Sequence, residues 1–376
     1  MKLTKEQLAE LETPCIVIDV AQAQANICSM QQAINAAGCT LRPHVKTHKM
    51  PFFAKMQMEA GAVGITCAKV SEAEVMAEYG LRDIFIAYPM VGAFRIARSI
   101  ALSRRVDRLI LAVDSIESAV ALNQAALAAN VVLEVRLEID TGAGRTGVLW
   151  EKAPEVAVQI SRMQNLNLTG IYTFKSMVYK GKTTEDNALA AQEEGELMAK
   201  AAKRIHEKGV SITEISAGSS PTGIRVAQTR LVTEVRPGTY IFKDQLLCGE
   251  HVAVPQEIAV RYVATVVSAQ HESYAVIDGG SKAFATDIPL KAPPFFFEGY
   301  AQVEGRPDLC LMRMNEEHGI VVSKCGHTGL RVGDILTLIP IHVCTAINLQ
   351  NTVYLLEDEK ITRSCVNARG MTGTVK

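Results

Sequence analysis

Long apolar runs are missing from this chain: no stretch of its 376 residues approaches the roughly 20 apolar residues that span a bilayer. An excess of one charge is missing too. Lys and Arg total 39 against 40 Asp and Glu, and the formal net charge of −1 gives no electrostatic ground for expecting nucleic acid. Paired cysteines are also absent. Cys15, Cys28, Cys39, Cys67, Cys248, Cys310, Cys325, Cys344 and Cys365 are odd in number, scattered and never in a CxxC spacing. That argues against a disulfide framework or a zinc ribbon and leaves most of them as small buried hydrophobes. The opening MKLTKEQLAELETP is polar and helical, without the apolar centre of a signal peptide, so the expected compartment is the cytoplasm. Internal repeats and low-complexity linkers are not found, which predicts parts that pack closely.

What the chain does hold is apolar material, 48% of its residues, in a length that predicts one large domain with a smaller one. Strand-like runs alternate with amphipathic stretches through the first two thirds, the pattern of parallel βα units. After CIVID at 15–19, strands are expected near 41–46, 63–66, 84–87, 108–113, 131–139, 168–173, 212–216 and 231–236. Eight is the count that closes a (β/α)8 TIM barrel. Helices are expected over 21–37, 51–60, 71–79, 115–129 and 186–208, with Ser71 and Glu74 spaced as a capping box. From about residue 250, runs such as YAVID, GIVVS and TVYLLE follow one another with short turns between them, as in an antiparallel β domain. The expected division is a barrel over 20–248 and a β domain from 1–19 and 249–376.

In such a barrel the chemistry sits at the C-terminal ends of the strands. Lys46 in LRPHVKTHKMP, Asp140 in EIDTGAGRTG, Tyr172 and Thr173, Ser216 before AGSSPTG, and Arg236 opening RPGTY all fall at such ends. AGSSPTG has the composition of a phosphate cradle: Gly218 admits close backbone approach and Ser219 and Ser220 offer hydroxyls and amides, with Gly238 and Tyr240 supplied from RPGTY. Two ordinary glycine turns would read the same way. A lysine and a phosphate cradle on one rim suggest pyridoxal 5′-phosphate bound through Lys46, whose amine loses its proton more easily near His44, His48 and Lys49. In IPIHVC, read as a strand, His342 and Cys344 point to one side and could grip one ion, imidazole and thiolate favouring zinc.

Taken together, TPCIVID, RPHVKTHK, SEAEVMAEYGLRDIFIAYP, DTGAGRTG, SAGSSPTG, EVRPGTY, IDGGSKAFATD, NEEHG and IPIHVCTAINL resemble the D-serine dehydratase and D-threonine aldolase family, metal-dependent relatives of alanine racemase. The likeness runs from about residue 12 to 370. It implies fold type III, a barrel carrying the cofactor, a β domain and a homodimer acting on a small D-amino acid. By the same likeness Lys46 is the Schiff-base lysine and α-proton base, and Gly218, Ser219, Gly238 and Tyr240 hold the phosphate. Arg236 or Arg145 approaches the pyridine ring or its phenolate oxygen, Tyr172 lines one face of the ring, and His342 with Cys344 binds the metal.

The HxC spelling resembles the dehydratases with zinc, whereas aldolases tend to place an aspartate at the second position, suited to manganese or magnesium. The expected reaction is therefore loss of the β-hydroxyl and release of a 2-oxo acid and ammonia. Retro-aldol cleavage to glycine and an aldehyde uses nearly the same parts. An amino acid racemase has no use for HxC, and a non-catalytic cofactor carrier resembling this family ends with the barrel. The chain departs from the family after the sixth strand, where IYTFKSMVYKG carries Lys175 and no early glycine.

Overall fold

The structure is a computed structural model that describes Met1 and residues 3–370; the expected β domain runs on to 376, and 371–376 lie outside the described residues. The chain divides into two compact units, one of residues 1–27, 47–49 and 239–370, the other of 28–46 and 50–238.

The second unit is an eight-stranded parallel sheet in the order Thr40–Leu41, Glu234–Val235, Glu214–Ala217, Leu166–Tyr172, Leu133–Asp140, Arg108–Val113, Asp83–Pro89 and Ile65–Cys67. A parallel bridge from His44 to Thr66 joins the two ends and closes the barrel. The expected eight strands are all present. Strands such as Leu133–Asp140 are buried on both faces, as parallel strands inside a ring of helices must be. The helices Pro51–Glu59, Ile116–Ala128 and Asn187–Glu207 match expectation, and Ala93–Ser103 and Ala153–Ser161 add to the ring.

Two local expectations change. The strand expected over 41–46 stops at Leu41, because Pro43 has no amide to continue the ladder; Val45–Thr47 is a 3₁₀ turn. Helix Val70–Glu78 begins one residue early with Lys69 as N-cap, and the Ser71–Glu74 box does not form. Glu72 instead reaches back to the Ala68 amide, and Glu74 pairs with Arg98.

Within this barrel lies a charged floor. Arg42 Nε meets Glu234 at 2.8 Å, Arg136 Nη1 meets Glu234 at 2.5 Å, Arg136 also pairs with Glu214, and Arg108 bridges Glu134 and Glu214 at 2.6 and 2.7 Å. Arg136 and Arg42 are buried, so Glu234 and Glu214 neutralise charges that water cannot reach, while Arg108 is partly exposed.

The first unit is a nine-stranded sheet. Val260–Ser268 pairs with both Ile335–Pro340 and Tyr274–Ile277, which closes six antiparallel strands on themselves. The run CIVID joins this sheet, antiparallel to Val260–Ser268 and parallel to Thr352–Glu357. IPIHVC is not a strand throughout. The strand ends at Pro340, His342 is the extended N-cap (φ −144°, ψ 126°), and Val343–Leu349 is a helix. An apolar run of this length fits a buried helix as well as a strand, and its period does not separate them.

Candidate active site

In the barrel unit the 3₁₀ turn fixes Lys46. Its backbone N–H donates to His44 Nδ1 at 3.3 Å, while His44 N–H donates to the Pro237 carbonyl at 2.9 Å. The Lys46 ammonium lies 5.3 Å from the centre of the Phe174 ring, and the Arg145 guanidinium lies 4.7 Å from the same ring. Phe174 thus serves both cations, a role the sequence did not disclose. Its neighbours hold it in place. Thr173 Oγ1 donates to the Ile139 carbonyl at 2.7 Å and Thr173 N–H to the Ser216 carbonyl at 3.0 Å. On the other side Lys175 is buried and ion-paired with Glu193, whose carboxylate also accepts Lys180 N–H at 3.0 Å. The unusual TFKS stretch is therefore a pinned segment.

Arg236 is almost fully buried. Its Nε donates to Ser216 Oγ at 2.8 Å, Ser216 Oγ donates to Glu234 at 2.7 Å, and its Nη2 donates to the Thr173 carbonyl. Its guanidinium covers the Tyr172 ring at 5.1 Å. Burial lowers the Arg236 pKa, partly offset by Glu234. Tyr172 stands edge-on to Phe85 at 5.0 Å inside the barrel core, and its hydroxyl has no hydrogen-bond partner of normal geometry among the described residues. Burial and the charge of Glu138 push that phenol well above its ordinary range.

The AGSSPTG loop is tighter than its composition suggests. Gly218 has φ +82°, and a Cβ there would fall 2.9 Å from Gly223 Cα, so glycine is required by the turn itself. Gly218 N–H goes to the buried Glu194 carboxyl at 3.0 Å and Ser219 N–H to Thr222 Oγ1 at 3.1 Å. Of the amides expected to face an anion, that of Ser219 is thus engaged, and the Ser219 hydroxyl shares Thr222 Oγ1 at 3.0 Å. At Gly223 a Cβ would meet no atom within 4 Å, which marks open space beside the loop. Gly238 ends this unit after Arg236 and Pro237.

In the β unit Tyr240 is buried in the 3₁₀ turn Thr239–Ile241. The strand-to-helix turn after Pro340 brings His342 and Cys344 into contact. His342 Nδ1 meets Asp287 Oδ2 at 2.7 Å. Burial alone would lower the His342 pKa, but hydrogen bonds to Asp287 and Cys344 outweigh it and raise it to about 11. For Cys344 burial pushes the thiol up, and the His342 hydrogen bond and charge outweigh that, leaving it below its ordinary value. Thr47 Oγ1 and Thr239 Oγ1 lie 3.2 and 3.3 Å from its sulfur. The intervening Val343 N–H donates to the buried Asp244 at 3.1 Å, and burial lifts Asp244 to about 6. Asp287, Asp244, Thr47 and Thr239 were not singled out from sequence, although three of them lie in quoted motifs: RPHVKTHK holds Thr47, EVRPGTY holds Thr239, and IDGGSKAFATD ends on Asp287.

These residues fit the groups that the sequence suggests. An arginine held at Nε and Nη2 keeps Nη1 for a ligand, since no described residue bonds it, and Gly223 leaves room for a group to approach the loop. A histidine and a thiolate-favouring cysteine in contact are a donor set for a borderline metal such as zinc. Among the described residues no third His, Cys, Asp or Glu joins them as a ligand group, so water or substrate would fill the other positions.

Comparison with known proteins finds two family models along the chain. Residues 18–245 match the family model described as alanine racemase, N-terminal domain, and residues 259–356 match the putative serine dehydratase domain. D-threo-3-hydroxyaspartate dehydratase of Delftia sp. (strain HT23) is 34% identical over 90% of this chain and 93% of its own. D-threonine aldolase of Arthrobacter sp. is 29% identical over 94% of this chain and 91% of its own. Among solved structures, a cysteine-to-alanine mutant of D-threo-3-hydroxyaspartate dehydratase in the metal-free form aligns with TM-score 0.87 at 32% identity, covering 95% of this chain and 97% of that one.

Proposed function

The chain belongs to the family that joins an alanine racemase N-terminal domain to a serine dehydratase domain, and from that premise we propose that it is a pyridoxal 5′-phosphate-dependent lyase of D-3-hydroxy amino acids, releasing ammonia and a 2-oxo acid. The observation that carries this reading is the placing of an imidazole and a sulfur donor, His342 and Cys344, at the turn after strand Ile335–Pro340, with the Thr47 and Thr239 hydroxyls 3.2 and 3.3 Å from the sulfur. A thiolate at that place favours zinc over the harder ions an oxygen donor would take, manganese or magnesium.

Pyridoxal phosphate, when bound, supplies an electron sink for negative charge at the substrate's α-carbon, and zinc supplies Lewis acidity for the leaving hydroxyl. The residues do the rest. Lys46 binds the cofactor aldehyde and takes the α-proton at Nζ, with the Phe174 face steadying the resulting ammonium. Arg236, fixed by Ser216 and the Thr173 carbonyl, offers Nη1 to the ring edge, and Arg145 is the second candidate for that part. Tyr172 supports the Arg236 guanidinium from below. Ser219, with Gly218, Gly238 and Tyr240, receives the phosphate. In this reading residues 20–248 carry the cofactor and the remainder carries the metal.

A homodimer is proposed on the resemblance, and a cytoplasmic location on the nine scattered cysteines, odd in number and never in a CxxC spacing. The test is product identity. Protein loaded with cofactor and zinc is incubated with D-serine, D-threonine and D-threo-3-hydroxyaspartate. Ammonia in step with a 2-oxo acid supports the proposal; glycine with an aldehyde makes the protein an aldolase despite Cys344.

A further inference from the structure

The segment IDGGSKAFATD, residues 277–287, has no part in the reading above beyond its likeness to the family, yet its contacts lead to one endpoint. Asp278 fixes the start: Oδ1 accepts Thr265 N–H at 2.9 Å and Oδ2 accepts the Thr13 hydroxyl at 2.6 Å. A Cβ at Gly279 would fall 2.1 Å from the Phe284 ring, so only glycine lets that ring fold back here. Phe284 is fully buried and stacks on Tyr262, with centroids 4.1 Å apart and planes 5° from parallel. Tyr262 Oη donates in turn to the His342 carbonyl at 3.4 Å. The loop therefore reaches Asp287 along a fixed path, and Asp287 Oδ2 lies 2.7 Å from His342 Nδ1 while its carboxyl also bonds Thr345.

We propose that Asp287 is the positioning residue of the metal centre: it holds the proton on Nδ1 of His342 and so leaves Nε2 to the ion shared with Cys344. This rests on the reading that His342 and Cys344 hold a metal. A ligating imidazole binds through one nitrogen and carries its proton on the other, so an acceptor fixed at Nδ1 selects the tautomer and sets the ring angle. The cysteine arm has separate supports, with Asp244 on the Val343 amide and the Thr47 and Thr239 hydroxyls at the sulfur. Asp287 contributes without touching the ion. Its side chain is 34% exposed, so its removal opens no buried cavity.

Zinc affinity of the full chain, measured by competition with a chromophoric chelator for the wild type, His342→Ala, Asp287→Ala and Asp287→Asn, tests this. Asp287→Ala is expected to bind zinc about 10- to 100-fold more weakly. Asp287→Asn, whose amide oxygen accepts the same hydrogen bond, is expected to recover most of that loss. Thermal melting of the metal-free variants should match the wild type, which separates positioning from folding. Wild-type affinity in Asp287→Ala, with binding lost in His342→Ala, overturns the role of Asp287 alone. Equal losses in Asp287→Asn and Asp287→Ala also overturn it, because they make the carboxylate a direct ligand. Unchanged affinity in His342→Ala removes the metal reading itself and the proposal with it.

Discussion

At the scale of single residues, charge matters most where water is excluded. Burial alone would raise the Glu234 pKa, but Arg136 and Arg42 hold it down at about 2. A carboxyl depressed in the fold stabilises it above the unfolded value of 4.5, and that contribution is lost as pH falls through the folded value. Denaturant titrations between pH 4.5 and 2 should therefore show a loss on the order of 3 kcal/mol from this group. Glu234→Gln should be less stable at neutral pH and flatter across that window; parallel curves would assign the acid sensitivity elsewhere. Lys46 gives a second prediction. Lys46→Ala should lose the visible absorbance of bound cofactor and at least about 10³-fold in turnover, within the range for removing a catalytic proton acceptor, whereas a wild-type spectrum would move the cofactor to another lysine. Lys46 was singled out from sequence because the expected strand over 41–46 would end on it, between two histidines; the structure holds it instead in the 3₁₀ turn Val45–Thr47. Phe174 was not, since one aromatic in a loop carries no signal until the turn at 45–47 and the DTGAGRTG loop bring two cations to its ring.

At the scale of elements, turns separate what the sequence discloses from what it hides. The barrel strands stand out because parallel strands buried on both faces read as short apolar runs. HVC was misread because the same apolar character continues from strand Ile335–Pro340 into helix Val343–Leu349, and only the backbone turn at His342 marks the change. The glycines of SAGSSPTG suggested an anion cradle, while two of the loop's amides in fact answer Glu194 and Thr222. The segment after strand Leu166–Tyr172 offers a direct test at this scale. Lys175 is buried and held by Glu193, so Glu193→Ala strands a buried ammonium and should cost on the order of 3 kcal/mol of unfolding free energy. Double replacement, Lys175→Met with Glu193→Leu, should recover much of that loss. A single variant as stable as the wild type, measured by urea titration, would mean that the pair does not pin the segment.

At the scale of the whole molecule, the proposed function calls for two devices, an amine that handles the α-proton and a donor pair for a Lewis acid, and a racemase would need only the first. The eight barrel strands were foreseeable from the alternation of strand-like and helical runs, and an antiparallel β domain from the change of pattern near residue 250; that six of its strands close on themselves was not. The identity of the reaction was not, because dehydration and retro-aldol cleavage differ in which bond stands across the cofactor plane. Stripping the metal separates these devices. The most direct measurement follows ammonia, 2-oxo acid and glycine from D-threo-3-hydroxyaspartate and D-serine before chelation, after it, and after zinc is restored, with cofactor absorbance recorded alongside. The account predicts ammonia and oxo acid in equal amounts, lost on chelation while the absorbance stays and regained with zinc. Glycine as the product, or full turnover without metal, would contradict it.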